Sequence, residues 1–327
     1  MRELIRGSPT EAWLLVVLAA LCLVLGLSSD QFASLVNVTD LLNTSAINII
    51  FAMGLLVVLI SGAIDISFAV AASVVQYVTA MALIAMGGGN WVFGLMIAVS
   101  CGVILMSINA ALIYHFRIIS IVVTIASFNA FFGLLMFFTR GVSIFNLPDW
   151  WTDRTILWEQ ETASGAWAEI TLPVAVMAAC VVLTWLLISH TSTGRQLYAY
   201  GDNPEGARRI GINEAAQHYI AFGWLGLMLG IAGLFQVNYA QEVVPNALYG
   251  RELDVLAATV LGGARLGGGR GTVFGVVLGV ILIAVTENGL NLMGVSPYAF
   301  NMVVGAIILA AIVLSNVSLD KLTARRA

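Results

Sequence analysis

What most constrains this chain is that one apolar run follows another almost without a break. Runs fall at about 12–28, 41–61, 64–86, 92–113, 118–138, 172–189, 217–237, 252–264, 271–287 and 298–316, with mostly short polar segments between them. A helix needs about 20 apolar residues to cross the hydrocarbon core of a bilayer. It is favoured there because it satisfies its own backbone hydrogen bonds. Most of these runs are long enough. The run at 252–264 is short and reads as a half-span, and the break Ser61-Gly62-Ala63-Ile64-Asp65 falls within the membrane. The expectation is an all-α integral membrane protein of about ten transmembrane helices, built as one domain over residues 1–327. Composition excludes a water-soluble globule: 60% of residues are hydrophobic and 10% charged, against about 25% charged in soluble domains. Cys22, Cys101 and Cys180 all lie inside apolar runs, so packing rather than a disulfide framework is expected. Arg2 and Arg6 ahead of the first run resemble the start of a signal peptide, but no small-residue cleavage site follows, and the run reads as a first span.

Charge sets the orientation. With the N-terminus inside and ten alternating spans, the inner segments hold Arg2, Arg6, Arg117, Arg195, Arg208, Arg209, Arg265, Arg270, Lys321, Arg325 and Arg326, which is eleven of the 14 basic residues. Only Arg140, Arg154 and Arg251 fall outside. Lys and Arg concentrate in cytoplasmic loops, so both termini are expected in the cytoplasm.

Two extramembrane segments exceed turn length. The outer one, about 140–171, is acidic and carries Trp150, Trp151, Trp158 and Trp167. These tryptophans read either as an interfacial aromatic belt or as a docking surface for another protein. The inner one, about 190–216, holds much of the basic charge and contains a short helix with its own punctuation. Asn203 is a good N-cap and Pro204 suits the first helical position. Glu205 lies in the positive first turn, Ala207, Arg208 and Arg209 follow, and Gly211 is a natural stop. Glu205 is expected to pair weakly with Arg208 and Arg209. Two helical turns over 204–210 are marginal alone in water, so a packing partner outside the membrane is expected in preference to a solvated loop.

These residues resemble the coupling segment of permease subunits of the ribose-type sugar ABC importers. That family typically reads G-x-N-P-E-A-A-R-x-x-G-I, here Gly201 to Ile212 with Gly206 in place of the first alanine. Ser61 to Ser67 is similar to its S-G-G-I-D-L-S stretch, with Ala63 for the second glycine, and Leu253 to Gly263 to its L-D-x-I-A-A-x-V-L-G-G stretch. Leu266 to Gly271 is similar to L-x-G-G-R-G, and Asn288-Gly289-Leu290-Asn291-Leu292 with Val295-Ser296-Pro297 also fits. The likeness runs from about 40 to 316. It implies a type II-like permease bundle in the bacterial inner membrane, with two permease subunits, identical or homologous, around a central path. It further implies cytoplasmic ATP-binding subunits, which hold the ATP and magnesium, and a periplasmic sugar-binding protein. No cofactor or metal is expected in this chain. Asn203, Pro204, Glu205, Gly206, Ala207, Arg208, Arg209 and Gly211 would couple the permease to the ATPase.

The residues agree with that division of labour. The glycines from Gly262 to Gly271 lack the Gly-Lys-Ser/Thr ending of a Walker A loop, since the only lysine is Lys321. They read as a tight turn with close helix packing. Asp65 is the one ionisable residue deep within 41–86; it either caps or braces the third helix or lies on a path. Asn48, Ser67, Gln76, Asn129 and Asn301 are candidate path residues, and singly each could equally be helix–helix glue, as could Asn43, Tyr77, Asn109, Gln236 and Asn238. Glu287 ends its apolar run and reads as interfacial. Trp150, Trp151 and Trp158 are the candidates for binding-protein docking. The competing function is a secondary sugar transporter or channel working without an ATPase, which has no need of a capped, exposed inner helix. An intramembrane enzyme would need a catalytic dyad or metal set within the spans, and none is evident.

Overall fold

The computed structural model of the chain describes residues 9–162, 165–296, 299–300, 302–303 and 305–306. Helices α1 (Pro9–Ser28), α2 (Leu35–Ile60), α3 (Phe68–Ala85), α4 (Trp91–Phe116) and α5 (Ser120–Thr139) come first. A single turn α6 (Asp149–Thr152) and a hairpin of β1 (Ile156–Glu161) and β2 (Trp167–Thr171) interrupt them. Then follow α7 (Leu172–His190), α8 (Ser192–Asp202), α9 (Pro204–Arg209), α10 (Glu214–Ala240), α11 (Arg251–Leu261) and α12 (Val273–Leu292). Among the described residues eight helices are long and apolar enough to cross a membrane: α1 to α5, α7, α10 and α12.

Local chemistry sets several helix starts. The Ser34 hydroxyl accepts from the Asn37 amide to open α2, and the Asn90 side chain accepts from Val92 and Phe93 to open α4. Arg117, at the far end of α4, takes a left-handed conformation (φ 55°) that stops the helix. Burial then sorts the helices. α2 is the central one and is enclosed almost throughout its inner two-thirds, whereas α1, α4, α5 and α7 keep broad apolar faces outward, as lipid-facing helices do. α4 and α10 pack backbone against backbone. Ala98 and Gly102 on α4 oppose Gly226 and Gly230 on α10, and a methyl group added at Gly226 would stand 2.6 Å from Val103 Cα. Small residues four apart permit this approach, and in lipid such contact drives helix association.

The eighth crossing is not a full helix. α11 has 11 residues, about 16 Å of rise, and is reached through the non-helical segment 241–250. The run read as a half-span at 252–264 is therefore a short helix, and Arg251 is its first residue. α12 continues past Glu287 to Leu292, so Glu287 lies within the last turns of the helix rather than ending it. The outer segment 140–171 contains a β-hairpin, a small departure from an all-helical chain, with Glu159 opposite Glu169. Most of the tenth expected span, 298–316, lies outside the described residues, as do Asn301 and the basic residues near both termini.

Candidate functional site

The inner loop folds as its sequence demands. Asn203 caps α9, its Oδ1 accepting from the Gly206 amide at 2.9 Å, with Pro204 at the first helical position. Gly211 takes φ +86° just beyond the last turn. Ala207 is buried beneath the helix, while Glu205, Arg208, Arg209 and Ile210 face out; Ile210 is 76% exposed. The pairing of Glu205 with the arginines is a correction. Arg208 turns instead to Glu214 at the start of α10, 3.4 Å away. The same carboxylate accepts from Arg117 at 2.6 Å and from the Tyr200 hydroxyl at 3.1 Å. Glu214 is the better partner because Arg117 and Tyr200 already hold its carboxylate at that corner. The Tyr200 hydroxyl lies 3.2 Å from His218 Nε2. Burial, followed by the Glu214 charge, pushes the Tyr200 phenol up to about 12, so it stays a neutral donor. The inner ends of α4, α8, α9 and α10 are thus tied through one carboxylate.

A second tie could not have been read from any one segment. Three glycine-bearing segments meet where α8 runs into α9: the end of α2 at Ile60 to Gly62, the α8 residues Gly201 and Asp202, and the loop at Gly267 to Gly269. The Gly269 amide donates to the Ile60 carbonyl at 2.9 Å. A methyl added at Gly201 would overlap that carbonyl and stand 2.7 Å from the Gly269 nitrogen; one at Gly268 would stand 2.7 Å from Gly62 Cα. Only hydrogen side chains allow three backbones this close. The Tyr198 hydroxyl extends the junction by donating to the Gly271 carbonyl at 2.6 Å.

From this junction the chain leads to Asp65. Its Oδ1 accepts from the Ser67 amide at 2.6 Å and the Ser67 hydroxyl at 2.9 Å, and its Oδ2 accepts from Asn109 Nδ2 at 3.0 Å. Asn109 also donates to Ser67 Oγ and accepts from the Ser127 hydroxyl at 2.6 Å. Asp65 and Ser67 are fully buried. The cluster braces the α2–α3 break against α4 and α5, so of the two readings of Asp65 the geometry matches bracing. The remaining path candidates are not gathered with it. Gln76 is buried on α3, and its Nε2 has no partner among the described residues. Asn48 accepts from Arg251 at 3.4 Å. Asn129 is exposed on α5 and bonds only its own helix, to Ile125 O.

The outer tryptophans divide. Trp151 is completely buried, its Nε1 donating to the Leu234 carbonyl at 2.8 Å, while Asn238 donates to the Trp151 carbonyl at 2.7 Å. Trp150 is half-buried, donates to Gly88 O at 3.0 Å and packs edge-on against Trp91. Both fasten α6 to the segments around it; full burial removes Trp151 from any docking surface, whereas Trp150 keeps part of its ring accessible. Sequence cannot separate a wedge from a belt, since both need an apolar ring with one N–H donor. Trp158 and Trp167, on the hairpin, remain exposed.

The family model described as "Branched-chain amino acid transport system / permease component" matches residues 37–312. The ribose import permease protein RbsC of Escherichia coli (strain K12) is 29% identical over 320 residues, covering 94% of this chain and 95% of its own length. RbsC of Bacillus subtilis (strain 168) is 31% identical over 294 residues, covering 90% and 89%. The autoinducer 2 import system permease protein LsrC of Photorhabdus luminescens is 30% identical over 321 residues, covering 95% and 92%. No solved structure matches the chain.

Proposed function

The chain belongs to the family of branched-chain amino acid transport system permease components, and from that premise we propose that it is the transmembrane permease subunit of an ATP-binding-cassette importer for a monosaccharide or related polyol. The cargo follows the relatives, whose names specify ribose, galactose or methyl galactoside, and autoinducer 2 import. Two permease subunits, of this chain or of this chain and a homologue, enclose the path in the bacterial inner membrane with their termini in the cytoplasm. ATP-binding subunits dock from the cytoplasm, and a sugar-binding protein delivers cargo from the periplasm. The chain itself moves its cargo by alternating access and leaves ATP hydrolysis to the partner.

One observation carries the reading. α9 is a capped two-turn helix that holds a large apolar side chain, Ile210, in water while its own base is wired into the bundle. An aliphatic group held 76% exposed on a short rigid element suits insertion into a groove on a partner. Next to it the Gly201 junction and the Glu214 corner link the helix to the ends of α2, α4, α10 and the 262–271 loop. Displacement of α9 by closing ATP-binding subunits therefore reaches the α2–α3 break through backbone contacts rather than through compliant side chains. The test is purification of the tagged chain from its own membranes in mild detergent, with the co-purifying subunits identified. An ATP-binding subunit retained by the wild type and lost from Ile210→Asp is the expected result. A chain that transports sugar with no such subunit would establish a secondary carrier instead.

A further inference from the structure

Among the described residues, four charged side chains, Arg251, Glu252, Asp254 and Glu287, lie at a depth where lipid cannot hold them. On the ten-span orientation the end of α2 and the 262–271 loop face the cytoplasm, and α11 rises from that side by about 16 Å to Arg251, near the middle of a hydrocarbon core about 30 Å thick. Asn48 is twelve residues from Ile60 along α2, and Glu287 fourteen from Val273 along α12, so both stand about 18–21 Å up by the same rise. Arg251 bonds Asn48 at 3.4 Å, and Asp254 and Glu287 lie within electrostatic reach of its guanidinium. Asp254 and Leu253 face outward, Leu253 with 61% of its surface exposed. Segment 241–250, which leads down to this point, is non-helical apart from turns. Irregular backbone at membrane depth is tolerated only inside protein or along a water-filled cavity. Ionised side chains at that depth obey the same rule.

Next to these charges is an aromatic wall. The Tyr249 ring, half exposed, lies 5.4 Å from Phe128 and 4.8 Å from Phe132 of α5, and the exposed Asn129 is on the same stretch. Guanidinium and amide donors, carboxylate acceptors and ring faces together match what a polyol presents. Each hydroxyl both donates and accepts, and the ring C–H groups seek an apolar face.

We infer that the start of α11 (Arg251 and Asp254), with Asn48, Glu287 and the Phe128–Phe132–Tyr249 wall, forms a water-facing mid-membrane site for the polyhydroxylated cargo. The inference rests on the importer reading for the identity of the cargo, while the water-lined character of the face stands without it. Two arms of an experiment test it on the complete transporter. In a chain with Cys22, Cys101 and Cys180 replaced by alanine, Leu253→Cys should react with a water-soluble thiosulfonate about tenfold or more faster than Val182→Cys, which is 51% exposed on the lipid side of α7. Equal rates would mean that lipid or a dry protein contact covers this face, and would overturn the site. In the second arm, Asp254→Asn should lower uptake of radiolabelled D-ribose or D-galactose, whichever the wild type imports, by about tenfold. The ATP-binding subunit should co-purify as before and the unfolding temperature in detergent should not move. Unchanged uptake overturns the site. A wild-type chain that retains no ATP-binding subunit overturns the importer reading alone, and the labelling contrast still decides whether the face is aqueous.

Discussion

Gly201→Ala is the smallest change that should disconnect α9 from the bundle. The added methyl overlaps the Ile60 carbonyl and stands 2.7 Å from the Gly269 nitrogen. Relieving the second contact alone, to the roughly 3.3 Å of a close carbon–heteroatom approach, requires about 0.6 Å; relieving the carbonyl overlap requires more than twice that. Neither neighbour is a rotatable side chain, so the movement must be of whole backbones. Overpacking of this kind costs about 1–3 kcal/mol, and loss of the 2.9 Å Gly269–Ile60 hydrogen bond adds about 0.5–1.5 kcal/mol. The sum, about 1.5–4.5 kcal/mol, is concentrated where α8, the end of α2 and the 267–269 loop meet. Gly87→Ala, just beyond α3, is the control. It meets nothing within 4 Å and carries only its positive φ, a cost of about 1 kcal/mol. Both variants should insert in the membrane. Uptake into membrane vesicles, measured beside ATP hydrolysis, should collapse for Gly201→Ala while hydrolysis continues, and should stay near wild type for Gly87→Ala. Equal uptake by the two variants would refute the argument that this close contact transmits motion.

Removing the acceptor of the buried cluster with Asp65→Ala should lower thermal stability in detergent by about 3 kcal/mol or more, since charge-assisted hydrogen bonds are worth about 1.5–3 kcal/mol each. Ser127→Ala, which deletes one bond to Asn109, should cost about 1 kcal/mol; equal losses would mean that Asp65 does no bracing. Trp151→Ala should destabilise by about 3–5 kcal/mol, as expected when a fully buried aromatic is truncated, whereas Trp158→Ala should leave stability unchanged and weaken stimulation of ATP hydrolysis by the periplasmic protein. Full stimulation in the Trp158 variant would remove the hairpin as a docking surface. Cysteine placed at Glu159 should be labelled from the periplasmic side and cysteine at Thr193 should not; the reverse pattern would invert the topology.

The features legible in the sequence were those whose cause is local. Asn203, Pro204 and Gly211 announce α9 because capping and left-handed termination depend on a few consecutive residues, and the helix formed where they put it. The short run at 252–264 announced a half-span because length alone limits how far a helix reaches. What depended on tertiary approach was hidden. Gly62, Gly201 and Gly268 each look like ordinary turn glycines, and only the fold brings them to one point. The burial of Trp151 is not legible in the sequence because its partner Leu234 stands 83 positions away, and Gly88, the partner of Trp150, stands 62 away. Arg208 was given the wrong partner because i, i+3 spacing takes no account of Glu214, already held in place by Arg117 and Tyr200. The mid-membrane group was missed for the same reason: Asn48, Arg251 and Glu287 come from three distant segments, and Arg251 and Glu287 each sit at the edge of an apolar run, where charge is unremarkable.

The most direct test of the account is to ask what touches Ile210 in the working protein. A photoactivatable benzophenone amino acid placed at position 210, irradiated in native membranes under conditions of active uptake, should form one adduct with a cytoplasmic ATP-binding subunit. The yield should fall when Gly206→Pro is added, because proline removes the amide that Asn203 caps. An adduct with lipid alone, or no adduct at all while sugar uptake proceeds at its normal rate, would contradict the central claim that this helix is where the motor grips the permease.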